Sequence, residues 1–136
     1  MADTIRQIDY FYILVAHKTG EGARILRGLK DAGVNLIAFS GFPEGRGAQL
    51  DFIPADAAAF KNAAKANRWK VVGPKRGFLI QGEDHVGAVA DIVGALAEAK
   101  INVTAIDAVC ADGQYAALCW VAPRDVKKAA RVLRAQ

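Results

Sequence analysis

The sequence predicts an α+β protein made of two ferredoxin-like βαββαβ sandwiches in tandem, each an antiparallel sheet with its helices on one face. Three observations carry this reading. The chain falls onto itself when shifted by 67 residues, strand-like and helix-like periodicities alternate in the same order in both copies, and a glycine-bearing turn closes the same hairpin in each.

Across residues 9–39 against 76–106, nine of thirty-one ungapped pairs are identical, among them Phe11/Phe78, Ile13/Ile80, Gly20/Gly87, Ile25/Ile92, Leu29/Leu96 and Asn35/Asn102. The register slips by one residue in the hairpin that follows, where Gly45, Ala48 and Leu50 meet Gly113, Ala116 and Leu118. Each copy opens on a strand rich in aromatic and β-branched residues, Tyr10–Ala16 and Gly77–Gln81. A glycine-bearing loop leads into a helix whose apolar residues recur at helical spacing: Ile25, Leu26, Leu29 and Ala32, then Val89, Ile92, Val93 and Leu96. An Asn-bearing strand follows, Val34–Ser40 or Ile101–Val109, then a turn (PEGRG or ADG) and a third strand, Gln49–Ile53 or Tyr115–Val121. The second helix starts near Asp56 or Asp125, either of which suits an N-cap, and Val126, Ala129, Ala130 and Leu133 form the stripe of the last one. Lys70–Gly73 supplies a fourth strand to the first copy, so the expected units are 1–73 and 74–136. The second copy ends without its fourth strand, and residues 3–8, including Thr4–Ile8, are the candidates to complete its sheet, within the chain or between chains. A frayed terminus is the alternative.

Composition bounds the function. The formal net charge is +4, and residues 1–68 and 69–136 each hold nine bases and seven acids, so no basic tail argues for nucleic acid or a membrane surface. The opening MADTIRQID lacks the apolar core of a secretory leader and no run is long enough to span a bilayer, which makes the cytoplasm the default expectation. If Asp112-Gly113 is a two-residue hairpin turn, Cys110 faces Tyr115 and not Cys119, so the two cysteines are expected to stay reduced. Units of about 65 residues bury a modest share of their surface, and association, as a homo-oligomer such as a dimer, is expected to contribute to stability.

Both copies resemble the ACT domain, the βαββαβ module that senses amino acids in metabolic regulation. The second copy carries Asp84-His85-Val86-Gly87 before its helix and Ile101-Asn102-Val103-Thr104 after it, where the family tends to show an Asp-x-Pro-Gly-like loop and a Gly-Ile-Asn-Val-like segment. The first copy keeps Gly33-Val34-Asn35-Leu36 but has His17-Lys18-Thr19-Gly20 in the loop, with His in the place of Asp. Neither loop has the common proline. The resemblance implies a site where this loop of one domain faces the start of the second strand of a neighbouring domain, with a free amino acid between them. The residues it designates are Asp84, His85, Val86, Gly87 and Ala88 with Asn102 and Val103. Their counterparts are His17, Lys18, Thr19 and Gly20 with Asn35 and Leu36.

Physical chemistry supports the loop independently, because a helix N-terminus offers amide donors and a partial positive charge to a carboxylate. Glycine there permits positive φ or close approach of a ligand, a role that fits Gly20, Gly22 and Gly87. Plainer roles compete: turn chemistry for the glycines, helix-end bonds for Asn35 and Asn102, and the helix dipole for Asp84. Asp84 and His85 make a poor catalytic dyad, since loop neighbours tend to point apart and no nucleophile stands at a defined spacing. His17 and His85 occupy equivalent loops, yet no Cys-x-x-Cys or His-x-x-x-His spacing completes a metal site, so neither metal nor cofactor is expected. Arg76-Gly77-Phe78 begins like an RNA-binding signature and fails at Ile80, and GFPEGRG (41–47) joins two strands instead of opening a helix. Trp69 and Trp120 read as packing residues. The expected function is a non-enzymatic sensor that couples an amino acid to assembly or to a partner enzyme or regulator. The alternative is a subunit-interaction module with no ligand.

Overall fold

A computed structural model describes residues 3–136. Among them are six strands, four α-helices and one 3₁₀ turn: β1 (Thr4–Ala16), α1 (Glu21–Asp31), β2 (Leu36–Glu44), β3 (Gly47–Pro54), α2 (Ala57–Ala66), β4 (Val71–Glu83), α3 (Ala88–Glu98), β5 (Val103–Ala111), β6 (Gln114–Val121), the turn Pro123–Asp125 and α4 (Val126–Leu133). The chain divides into two compact units. One is Asp9–Lys75, and the other joins Arg76–Gln136 to Ile8 and the described residues before it. No helix among the described residues is long and apolar enough to cross a membrane.

In the Asp9–Lys75 unit the strand order is β2-β3-β1, followed by the opening residues of β4. The pairings are antiparallel and set Phe11 opposite Phe52, and Phe39 opposite Phe52 on the other side. Alternation puts Phe11 and Ile13 of β1 on the face covered by helices while Leu14 stays exposed. Phe60 of α2 stacks on Phe11 with ring centroids 4.7 Å apart and tilts against Phe52 at 5.4 Å. Ile25 and Leu29 from α1 complete this cluster. Each fully buried aromatic contributes roughly 1.5–3 kcal/mol of transfer free energy. Asp56 caps α2, accepting from the amides of Ala58 (3.0 Å) and Ala59 (3.2 Å).

In the other unit β4 neighbours β6, β6 neighbours β5, and Thr4–Ile8 of β1 lies on the far side of β4. The register places Phe78 opposite Cys119 and Ile80 opposite Ala117. Phe78, Ile80, Ile92, Leu96, Ala129 and Leu133 form the core, joined by Ile5. The last residue bonds to the first strand: Gln7 donates to the Gln136 carbonyl at 3.0 Å, and Gln136 donates to that of Ile5 at 2.9 Å. Cys110 stands opposite Tyr115 across a turn whose residues Asp112 and Gly113 have φ of 57° and 77°. That is the mirror-image turn a two-residue hairpin requires. Both cysteines are free.

Two sequence expectations need correction. The separate strands expected at Lys70–Gly73 and Gly77–Gln81 are one strand, β4, and Thr4–Ile8 runs without interruption into Tyr10–Ala16 as β1. Ladder pairing with a neighbouring strand carries β4 through Gly73 and Pro74 against local propensity, and Pro74 sits at an exposed position that tolerates a missing donor. Asp125 does not cap α4: its side chain makes no cap bond, because Pro123–Asp125 form a 3₁₀ turn that places Asp125 itself in a helical conformation.

Candidate functional site

The loop between β4 and α3 is held from two sides. Asp84 donates its amide to the Gly113 carbonyl at 3.0 Å, which ties the loop to the β5–β6 hairpin turn. Gly87 is the residue before α3, with φ of +83°, and the amide of Asp91 bonds its carbonyl at 3.0 Å as the first intrahelical bond. A Cβ on Gly87 would meet nothing within 4 Å. Glycine is therefore required here by the left-handed backbone and not by close approach of another group. Gly20 follows the same rule, with φ of +93° and open space, while Gly22 has neither constraint.

An open cavity of about 300 Å³ lies at this helix start. On one side are Asp84, His85, Gly87 and the first residues of α3, Ala88, Val89 and Ala90; on the other are Ala108, Val109 and Cys110 at the end of β5, with Tyr115. The Ala88 amide bonds the His85 carbonyl at 3.2 Å, whereas the amides of Val89 and Ala90 precede the first intrahelical donor, the amide of Asp91. His85 uses Nδ1 on the carbonyl of Val86 at 3.1 Å and sets its ring edge-on to Tyr115, with centroids 6.5 Å apart. The Asp84 carboxylate stands by the Cys110 thiol as its hydrogen-bond acceptor and, together with desolvation, raises that thiol's pKa. A thiol held protonated is a poor nucleophile. Burial, with the Asp3 carboxylate second, likewise pushes the Tyr115 phenol up.

The structure thus gathers Asp84, His85, Gly87 and Ala88 around one cavity. Val86 is fully exposed and does not line it. Asn102 and Val103 lie at the opposite end of β5, next to the C-terminus of α3, and Val103 pairs with Val121. In the Asp9–Lys75 unit, His17, Lys18, Thr19 and Gly20 are all exposed. Asn35 and Leu36 border a separate open depression of about 430 Å³ with Lys30, Gly33 and Val34. The Asn35 carbonyl accepts from Ala55 at 2.9 Å. The residues missed from sequence are Val89 and Ala90 at the start of α3, and Ala108, Val109, Cys110 and Tyr115. The hairpin register offered the signal, since it sets Cys110 and Tyr115 opposite each other beside the turn that holds Asp84. Among the described residues, no three His, Cys, Asp or Glu side chains are grouped to hold a metal ion.

No family model and no curated protein matches the chain. Solved structures do. A protein of Bacteroides thetaiotaomicron superposes with a TM-score of 0.83 at 17% identity, covering 97% of this chain and 88% of that one. A structure of aspartokinase alpha and beta subunits gives 0.68 at 19% identity, covering 98% and 95%. The ligand-free regulatory subunit of aspartate kinase from Thermus thermophilus gives 0.67 at 13% identity, again covering 98% and 95%. What they share with this chain is the fold. It is an α+β fold that the regulatory subunit of aspartate kinase from Thermus thermophilus also has.

Proposed function

We propose that this chain is a non-catalytic regulatory module of two ACT-like domains that binds an amino acid at an interface between such domains and couples it to assembly or to a partner enzyme. The observation that carries the reading is the cavity at the start of α3, where an acidic side chain and the first residues of a helix meet over a mainly apolar wall. Its volume sits at the lower end of ligand pockets, about 300–1,000 Å³. The amides of Val89 and Ala90, at the positive end of the helix, suit a carboxylate, and the Asp84 carboxylate suits an ammonium group. Similarity in fold to regulatory subunits of aspartate kinase supports a regulatory over a catalytic role. The raised Cys110 pKa, and His85 bonded to its own neighbour, also speak against a reaction centre. The cavity is open, and Val109 on its rim is 64% exposed, so a second domain surface would complete it.

The test is a calorimetric titration of the twenty amino acids beside a solution mass measurement. One amino acid or a related group is expected to bind and to shift the mass distribution, because a ligand held between domains favours the associated state. No heat and no stabilisation at millimolar ligand would defeat the sensor reading. A subunit-interaction module without a ligand is the second reading, favoured by exposed Leu14 and Val109, and a stable oligomer that binds no amino acid would establish it.

A further inference from the structure

The charge balance of the whole chain hides a local concentration. Residues 124–134 hold five of its eighteen bases and one of its fourteen acids, so this segment carries the entire formal net charge of +4 while the remainder balances. The five are Arg124, Lys127, Lys128, Arg131 and Arg134, and all are exposed. At 3.6 residues per turn they fall within an arc of about 120° on α4 and its flanks. Ala129 and Leu133, on the opposite side, are buried in the core. None of the five makes an ion pair among the described residues, so no internal carboxylate neutralises the patch.

Folding does not account for this placement. Arg131 and Arg134 stand near the C-terminus of α4, where the helix dipole favours cations, but Arg124, Lys127 and Lys128 crowd its N-terminus, where the dipole opposes them. The side chain of Asp125, the nearest acid, makes no capping bond. We propose that the outer face of α4 is a docking surface for an acidic segment of a partner protein, its carboxylates spaced at i, i+3, i+4, i+7 and i+10 to meet the five cations. The patch holds five cations, fewer than the roughly six to ten phosphate contacts of a strong duplex binder. The apolar stripe of α4 is already committed to the core, so nothing remains to insert into a bilayer. This surface is independent of the α3 cavity, and either can fail without the other.

The test uses the full chain and a fluorescent twelve-residue helical peptide with glutamates at those spacings. Binding is expected to weaken at least tenfold between 50 and 200 mM salt, as neutralised charge pairs require, and at least tenfold in the triple variant Lys127→Glu, Lys128→Glu, Arg131→Glu. The matched control Arg27→Glu, Lys30→Glu, Lys61→Glu, on exposed cations of the other unit, is expected to retain the affinity. Thermal melts of both variants verify folding, and Lys127→Gln with Lys128→Gln supplies a milder variant if the triple one is unstable. The proposal is overturned if the peptide does not bind at low salt, if the control loses as much as the α4 variant, or if duplex DNA or phosphatidylserine vesicles bind more tightly than the peptide.

Discussion

Gly87→Ala and Gly94→Ala place the same methyl group at the entrance and in the middle of one helix, and the structure assigns them opposite signs. Neither Cβ would meet an atom within 4 Å, so crowding plays no part in either. Gly87 has φ of +83°, a left-handed conformation that costs an alanine about 1–2 kcal/mol. The lower backbone entropy of the unfolded alanine chain offsets about 0.4–1 kcal/mol of this. The net expectation is a loss of about 1 kcal/mol. Gly94 lies within α3 without a positive φ, and alanine there gains roughly 0.8–1 kcal/mol from helix propensity. The two variants should therefore differ by about 2 kcal/mol. Gly87→Asn should fall between wild type and Gly87→Ala, because asparagine tolerates this conformation better. Urea unfolding followed by the fluorescence of Trp120, buried in the same unit, measures all three. A Gly87→Ala protein as stable as the parent would show that α3 does not begin on a left-handed residue, and the cavity built on that start would lose its basis.

Phe60→Ala should cost about 3–5 kcal/mol in urea unfolding, because it removes the ring that touches both Phe11 and Phe52. Asp56→Ala should lose about 1 kcal/mol with its two amide bonds, whereas Asp125→Ala, which removes no cap bond, should stay within about 0.5 kcal/mol. Asp84→Asn should speed the reaction of Cys110 with a disulfide reagent near pH 8, since it removes the acceptor that raises the thiol's pKa, while buried Cys119 stays protected; an unchanged rate would separate Asp84 from Cys110. Burial raises the pKa of both Cys119 and Tyr115, so the fold prefers their neutral forms. Their contribution is complete below the unfolded values, about 8.5 and 10, and is lost as pH climbs past each. Melting temperature should accordingly decline from about pH 9, and Cys119→Ala with Tyr115→Phe should flatten the decline; an equal slope in the double variant would refute this origin.

What could be read from the sequence depends on short-range forces. The stripe Ile25, Leu29 and that of Ile92, Leu96 follow from the geometry of one helix. Asp112-Gly113 reaches its turn because both residues accept positive φ, and that turn alone aligns Cys110 with Tyr115. The Asp56 cap needs only two following amides. At Asp125 the same local rule failed, because the preceding Ala122-Pro123 segment closes a 3₁₀ turn whose bond runs from the Asp125 amide to the Ala122 carbonyl at 2.8 Å.

The chain's own letters determined its repeated strand–helix–strand–strand–helix order and the glycine-led loops before α1 and α3, because dihedral preference and apolar spacing act over a few residues. Only the folded molecule decided that Gln136 donates to Ile5 and accepts from Gln7, that β1 and β4 are unbroken, and that Ala108–Cys110, not Asn102, face the Asp84 loop. Those outcomes rest on pairing between strands distant in sequence, where register and sheet order, set by burial of whole faces, outweigh any local signal.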